Sequence, residues 1–180
     1  NWGSIGIFQY DLVAAIFGGQ DAWGSIEGNA RVIDQRLMKV LAQTGSPKVN
    51  LIAHSKGGLD CRYLLSRLDF APYVASLTTI NTPHRGCVWV EALLNTVPQR
   101  AKRWIAKQYE RVFSLLGDSC ADFLGGVQNL TPSFLCAFNE LCPDQEGVLY
   151  QSVMSTMRSP LDAGFPLNLT WHFVKHYDQA

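Results

Sequence analysis

The residues of this chain best equipped for chemistry are Ala53, His54, Ser55, Lys56, Gly57 and Gly58. They follow the mostly apolar run Val49-Asn50-Leu51-Ile52 and precede a helical pattern over residues 59–68. The order predicts a buried parallel strand, a sharp turn carrying one serine, and a helix opened by two glycines. A hydroxyl on such a turn points away from the sheet, beside unpaired backbone N–H groups. This is the nucleophile elbow, written G-x-S-x-G. Ala53 stands where the pattern has glycine; strand and helix backbones approach closely there, and a methyl group is the smallest departure. The chemistry this predicts is acyl transfer. Ser55 attacks a carbonyl, and the backbone N–H of Lys56 supplies one donor to the oxyanion that forms.

A serine hydroxyl becomes a nucleophile when a histidine takes its proton and a carboxylate orients that histidine. On a strand–turn–helix elbow the chain order is Ser, then Asp or Glu, then His. After Ser55 come His84, His172 and His176. His84 lies in Asn81-Thr82-Pro83-His84-Arg85-Gly86, directly after a strand and too early to follow an acid. Thr82, Pro83 and His84 are therefore read as loop or pocket-shaping residues near the site. His172 and His176 fall in an apparent strand, where a structural histidine is the commoner case; an Asp162–His176 dyad is allowed by order alone. His54 is expected to point away from the nucleophile. The second oxyanion donor often follows a His-Gly pair, and the chain contains no such pair.

The elements that must position these groups alternate. Residues 12–17 form a short apolar run ended by Gly18-Gly19, read as a strand. A helix is expected from Ser25, its N-cap, to Leu41, with Gly45 and Pro47 beyond its end. The elbow strand and helix follow, then a strand over residues 74–80. This is the βαβ rhythm of an α/β fold with a parallel central sheet and helices on both faces. Residues 88–146 interrupt it as a helical insertion. There Ala101, Trp104, Ile105, Tyr109, Val112, Phe113 and Leu116 recur at helical spacing opposite Arg100, Lys102, Arg103, Lys107, Glu110 and Arg111. An amphipathic helix after an elbow suits either a lid over an acyl pocket or packing on the core. Strands are expected again over residues 147–153 and 171–177.

Composition narrows the partners. The 180 residues are enough for one domain, and 47% hydrophobic with 17% charged content is that of a globular protein. Lysine plus arginine total 15 and aspartate plus glutamate 15, so no net charge argues for a nucleic-acid partner. No apolar run reaches the ~18 residues of a membrane span. The 5 cysteines, Cys61, Cys87, Cys120, Cys136 and Cys142, include no C-x-x-C pair and offer no zinc site. Free thiols are the expected state, with a Cys136–Cys142 pair the alternative.

Ala53-His54-Ser55-Lys56-Gly57-Gly58-Leu59-Asp60, together with Ser76-Leu77-Thr78-Thr79-Ile80-Asn81-Thr82-Pro83-His84-Arg85-Gly86, resembles bacterial triacylglycerol lipases of the true-lipase group, Gram-positive members in particular. Asp21-Ala22-Trp23-Gly24-Ser25-Ile26-Glu27 is similar to the segment before the elbow in that family, and residues 138–152 to the one after its lid. The resemblance implies an α/β-hydrolase fold, a lipid or acyl-ester substrate, Ser55 as nucleophile, Lys56 as oxyanion donor, and no metal or organic cofactor. It reads the chain as one incomplete hydrolase domain, an internal piece of a lipase that is inactive alone. The acid and base are then expected beyond Ala180 and the upstream oxyanion loop before Asn1. An acyltransferase or short-chain esterase would use the same serine, and a non-catalytic lipid-binding relative would not use it.

Overall fold

The structure, a computed structural model, describes residues 24–100 and 123–162, together with Gly18, Trp171, Val174 and Lys175. Its first helix, α1 (Ile26–Thr44), begins where Ser25 Oγ accepts the Gly28 N–H at 3.0 Å, which satisfies one of the donors every helix start leaves open. It ends at Gly45, whose φ of 67° is left-handed and whose N–H reaches the Leu41 carbonyl at 2.9 Å. Ile26, Asn29, Ala30 and Ile33 recur every three or four residues and form its buried face.

Three parallel strands follow in the order β1 (Val49–His54), β2 (Val74–Ile80), β3 (Leu149–Val153). Leu51 pairs with Leu77 and Ala53 with Thr79, and across the next ladder Thr79 pairs with Ser152. The elbow helix α2 (Gly57–Arg67) crosses from β1 towards β2. It packs on the same sheet face as α1, in a core of Ala30, Ile33, Leu51, Ala53, Cys61, Leu64, Leu65, Phe70, Val74 and Leu77. On β1 only Leu51 and Ala53 are buried, whereas Ile52 is 43% exposed. Among the described residues α1 and α2 both pack on the Leu51 and Ala53 face, and burial along the strand alternates accordingly.

Beyond β2, the described residues form α3 (Val88–Thr96), α4 (Phe123–Gln128) and α5 (Pro132–Leu141). Thr131 caps α5 and Pro132 opens it, where a missing N–H costs nothing. Leu135 and Phe138 of α5, with Cys142, join Ile26 and Leu59 in a second apolar cluster. Arg62 ties α5 to α2 through Asn139 Oδ1 and the Cys142 carbonyl, both at 2.7 Å. Gly86, at φ 84°, lies so close to α5 that a Cβ there would stand 2.4 Å from Pro132 N. The last stretch of the segment expected to be an insertion over residues 88–146 therefore packs into the core with α1 and α2. The amphipathic helix expected over residues 101–116 lies outside the described residues, as do His172, His176 and the strand expected over residues 12–17.

At its three described positions the segment expected as a strand over residues 171–177 is not extended. Trp171, Val174 and Lys175 are helical. The Lys175 ammonium sits 4.7 Å from the centre of the Trp171 ring, one helical turn away. Cys61, Cys87, Cys136 and Cys142 are all free, as read from sequence, and burial pushes the Cys61 thiol up. Among the described residues no helix is long and apolar enough to cross a membrane.

Candidate active site

The turn between β1 and α2 is built from main-chain contacts. Ser55 has φ 53°, a left-handed conformation that costs a non-glycine residue roughly 1–3 kcal/mol. Three hydrogen bonds hold it there. The Ser55 N–H donates to the Ile80 carbonyl at 2.9 Å, and the Ser55 carbonyl accepts from the Gly58 N–H at 3.1 Å. That carbonyl also accepts from Thr82 Oγ1 at 2.8 Å. The end of β2 and the loop after it thus clamp the serine of the neighbouring strand. Gly58 lets that loop come close, since a Cβ at this position would lie 2.3 Å from Thr82 Oγ1.

Against this fixed backbone, the Ser55 hydroxyl has no hydrogen-bond partner among the described residues, and neither has the Lys56 N–H. A half-buried hydroxyl beside an open amide at a helix start is the geometry that acyl transfer uses, because the amide and the helix dipole both favour negative charge on an oxygen placed there. Ala53 is buried and His54, the last residue of β1, is exposed.

Lys56 is also anchored by its side chain. Its Nζ lies 3.0 Å from Asp60 Oδ1, one turn along α2, with both side chains almost wholly buried. Asp60 Oδ2 accepts from Asn29 Nδ2 of α1 at 2.9 Å. Burial pushes the Asp60 carboxyl up to about 6, against the pull of Lys56 and Asn29 in the other direction. Sequence reasoning did not single out Asn29 or Asp60 as site residues. The i,i+4 spacing of Lys56 and Asp60 was the available signal.

Of the loop residues named from sequence, Thr82 reaches the serine and His84 does not. His84 Nε2 lies 3.0 Å from Thr79 Oγ1, which also contacts Ser152 Oγ at 3.0 Å, and the His84 carbonyl accepts from Asn139 Nδ2 at 2.9 Å. The ring faces a cavity of about 550 Å³ between α2, α5 and β3, whose lining includes Arg62, Asn139 and Tyr150 but not Ser55. His84 is therefore a pin between the loop, β2 and α5. Asn81, at φ 51°, plays a similar part at the sheet's carboxyl edge. Its amide bonds both the N–H (2.7 Å) and Oγ (2.8 Å) of Ser155, seating the chain that leaves β3 against the end of β2.

Burial, then the positive Arg62, lowers the His84 imidazole below its ordinary value near 6.5, with Asp144 opposing. A base lowered in the fold binds its proton more readily when unfolded. Its contribution to stability is present above the unfolded value and is lost as pH falls through the window beneath it. The buried Asp60 carboxyl, raised to about 6, works in the other direction in the same window. The effect is therefore read as a difference: as pH falls from about 7 to 5, the melting temperature of the protein should fall relative to that of His84→Gln. Parallel curves for the two proteins would rule this out.

Comparison with known proteins adds two likenesses. A family profile described as "alpha/beta hydrolase fold" matches residues 17–164, and one described as "Domain of unknown function (DUF378)" matches residues 1–26. A triacylglycerol lipase of Pseudarthrobacter phenanthrenivorans is 39% identical over 113 residues, 58% of this chain and 34% of that protein. At the other likeness, the uncharacterized membrane protein YuzA of Bacillus subtilis is 85% identical over 20 residues, 11% of this chain and 26% of that protein. Among solved structures, the mature form of Bacillus licheniformis lipase BlEst2 superposes with a TM-score of 0.59 at 19% identity, over 88% of this chain and 56% of that one. The last likeness is one of fold. The chain spans about a third of the length of the lipase relative, and the hydrolase match begins only at residue 17 of the single unit expected over residues 1–180.

Proposed function

Because this chain belongs to the alpha/beta hydrolase fold family, we propose that it carries the nucleophile of a serine carboxylic-ester hydrolase of the lipase type, acting on acylglycerol esters. The observation that supports this most directly is Ser55 at φ 53°, with its hydroxyl and the next residue's N–H unpaired among the described residues. Ser55 Oγ attacks the ester carbonyl as its proton passes to a base. The Lys56 N–H steadies the oxyanion of the tetrahedral intermediate, the alcohol leaves, and water then cleaves the acyl-enzyme to release the fatty acid. His84 is not that base, since its Nε2 is engaged with Thr79. Base and acid follow the nucleophile in the order of this fold. The chain leaving β3, held to Asn81 at Ser155, starts out from the sheet edge where open α/β sheets place working residues.

The test is hydrolysis by the full-length protein of a series of triacylglycerols and p-nitrophenyl esters, with every product identified. Free fatty acid from long-chain substrates is the expected result. Transfer of the acyl group to an added alcohol in place of water would make it an acyltransferase. Turnover confined to short chains would make it an esterase, and lipid binding without turnover would remove the enzyme reading altogether.

A further inference from the structure

Lys56 holds two positions in this structure that are hard to separate. Its backbone N–H, next to Ser55 in the chain, has no partner among the described residues, and its buried side chain is held by Asp60, which Asn29 holds in turn. Burying a carboxylate with an ammonium costs desolvation that an apolar pair of the same shape would not incur. The interface between α1 and α2 has no need of it for cohesion, because Ala30, Ile33, Leu64 and Leu65 already fill it. What a paired charge adds over an apolar contact is direction. The Lys56 ammonium has its acceptor at Oδ1 and the Asn29 amide has its own at Oδ2, so the carboxylate is fixed from both sides.

We propose that Lys56, Asp60 and Asn29 form a tether that aims the Lys56 N–H, with Asp60 and Asn29 as positioning residues for the oxyanion donor. This deepens the proposed hydrolase function and rests on it. Ser55 is already strained, and the Gly58 and Thr82 bonds to its carbonyl orient the planar peptide that carries the Lys56 N–H from the serine side. The tether holds the other end of that peptide, at the Lys56 Cα. Rotating that peptide would break the Gly58 and Thr82 bonds, and shifting its Lys56 end would pull on the buried Lys56–Asp60 pair. The tether therefore keeps the donor in place before substrate arrives, which is when preorganisation matters for rate. Asn29 extends the tether to α1, 31 residues away in sequence, so the aim is set by the body of the fold and not by the turn alone.

The decisive variant is the apolar pair Lys56→Met/Asp60→Leu in the full-length protein. It keeps the volume and removes the direction. Its melting temperature should stay near or above that of the parent. Its kcat should fall roughly 10- to 100-fold with KM unchanged, as misplacement of a catalytic group does. A trifluoromethyl ketone, which forms a tetrahedral oxyanion on the serine, should lose affinity by the same factor as kcat. A folded double variant with unchanged kcat and unchanged ketone affinity would overturn the tether and leave the pair as packing. If the double variant melts below the assay temperature, Lys56→Met alone gives the same reading, since Asp60 can take up a proton. Ser55→Ala separates the two proposals. Retained activity there would sink the hydrolase reading itself, whereas an inactive Ser55→Ala beside a fully active apolar pair would sink only the tether.

Discussion

Ser55→Ala should lower kcat for ester hydrolysis in the full-length protein by about three to six orders of magnitude, while leaving its melting temperature within a few degrees of the parent. The separation of those two effects is what the geometry predicts. None of the bonds that hold the turn uses the hydroxyl: Ile80, Gly58 and Thr82 all bond to the Ser55 main chain. Alanine occupies the left-handed region no more easily than serine does, so the strain at φ 53° is unchanged. At 1.36 kcal/mol for each tenfold, the loss is about 4–8 kcal/mol of transition-state stabilisation with almost no change in folding free energy. Some rate over water should survive, because the Lys56 N–H remains where it was. A fluorophosphonate probe should label the parent at Ser55 and leave the alanine variant unlabelled. Activity within an order of magnitude of the parent would place the nucleophile elsewhere and end the elbow reading.

The features legible in the sequence are those written in local pattern. Ser25, Gly45 and the spacing of Ile26, Ala30 and Ile33 announce α1, and its caps lie where those residues put them. The elbow is equally local, since strand, small residue, serine and glycine follow one another along the chain. Side-chain pairings across long separations leave no such trace. Thr82 bonds the Ser55 carbonyl, Asn81 seats Ser155, and Asn29 reaches Asp60 only once the sheet and helices are assembled. Trp171, Val174 and Lys175 depart from the expected strand for the opposite reason. Their aromatic and β-branched run satisfies strand propensity, which reports how a side chain fits a pleated surface more than any preference of the backbone. The helical spacing of Trp171 and Lys175, with the ammonium over the ring, was the competing signal.

Gly58→Ala should be the most damaging single methyl group at the site. In an ordinary helix that change gains about 0.5–1 kcal/mol. Here a Cβ would lie 2.3 Å from Thr82 Oγ1, 2.7 Å from Thr82 Cγ2 and 3.0 Å from Thr79 Cγ2. Both threonines are buried, at 4% and 3% exposure, so neither has solvent to move into. Overpacking of this kind costs about 1–3 kcal/mol. If Thr82 yields by turning its hydroxyl away, the Ser55 carbonyl loses one of its two donors and the strained turn loses a clamp. The helix gain is then outweighed, and a net destabilisation of about 1–4 kcal/mol is expected, with kcat reduced on the order of 100-fold. Removing the obstacle tests the cause. In Gly58→Ala/Thr82→Ala the methyl group fits the space the threonine vacates, so stability should recover well beyond the sum of the single changes, as contacting residues do in a double-mutant cycle. The rate should not recover, because the bond from residue 82 to the Ser55 carbonyl is gone in either case. Additive losses in stability would mean that Gly58 and Thr82 act independently. Full recovery of rate would mean that Thr82 only fills space and that the turn holds its serine without it.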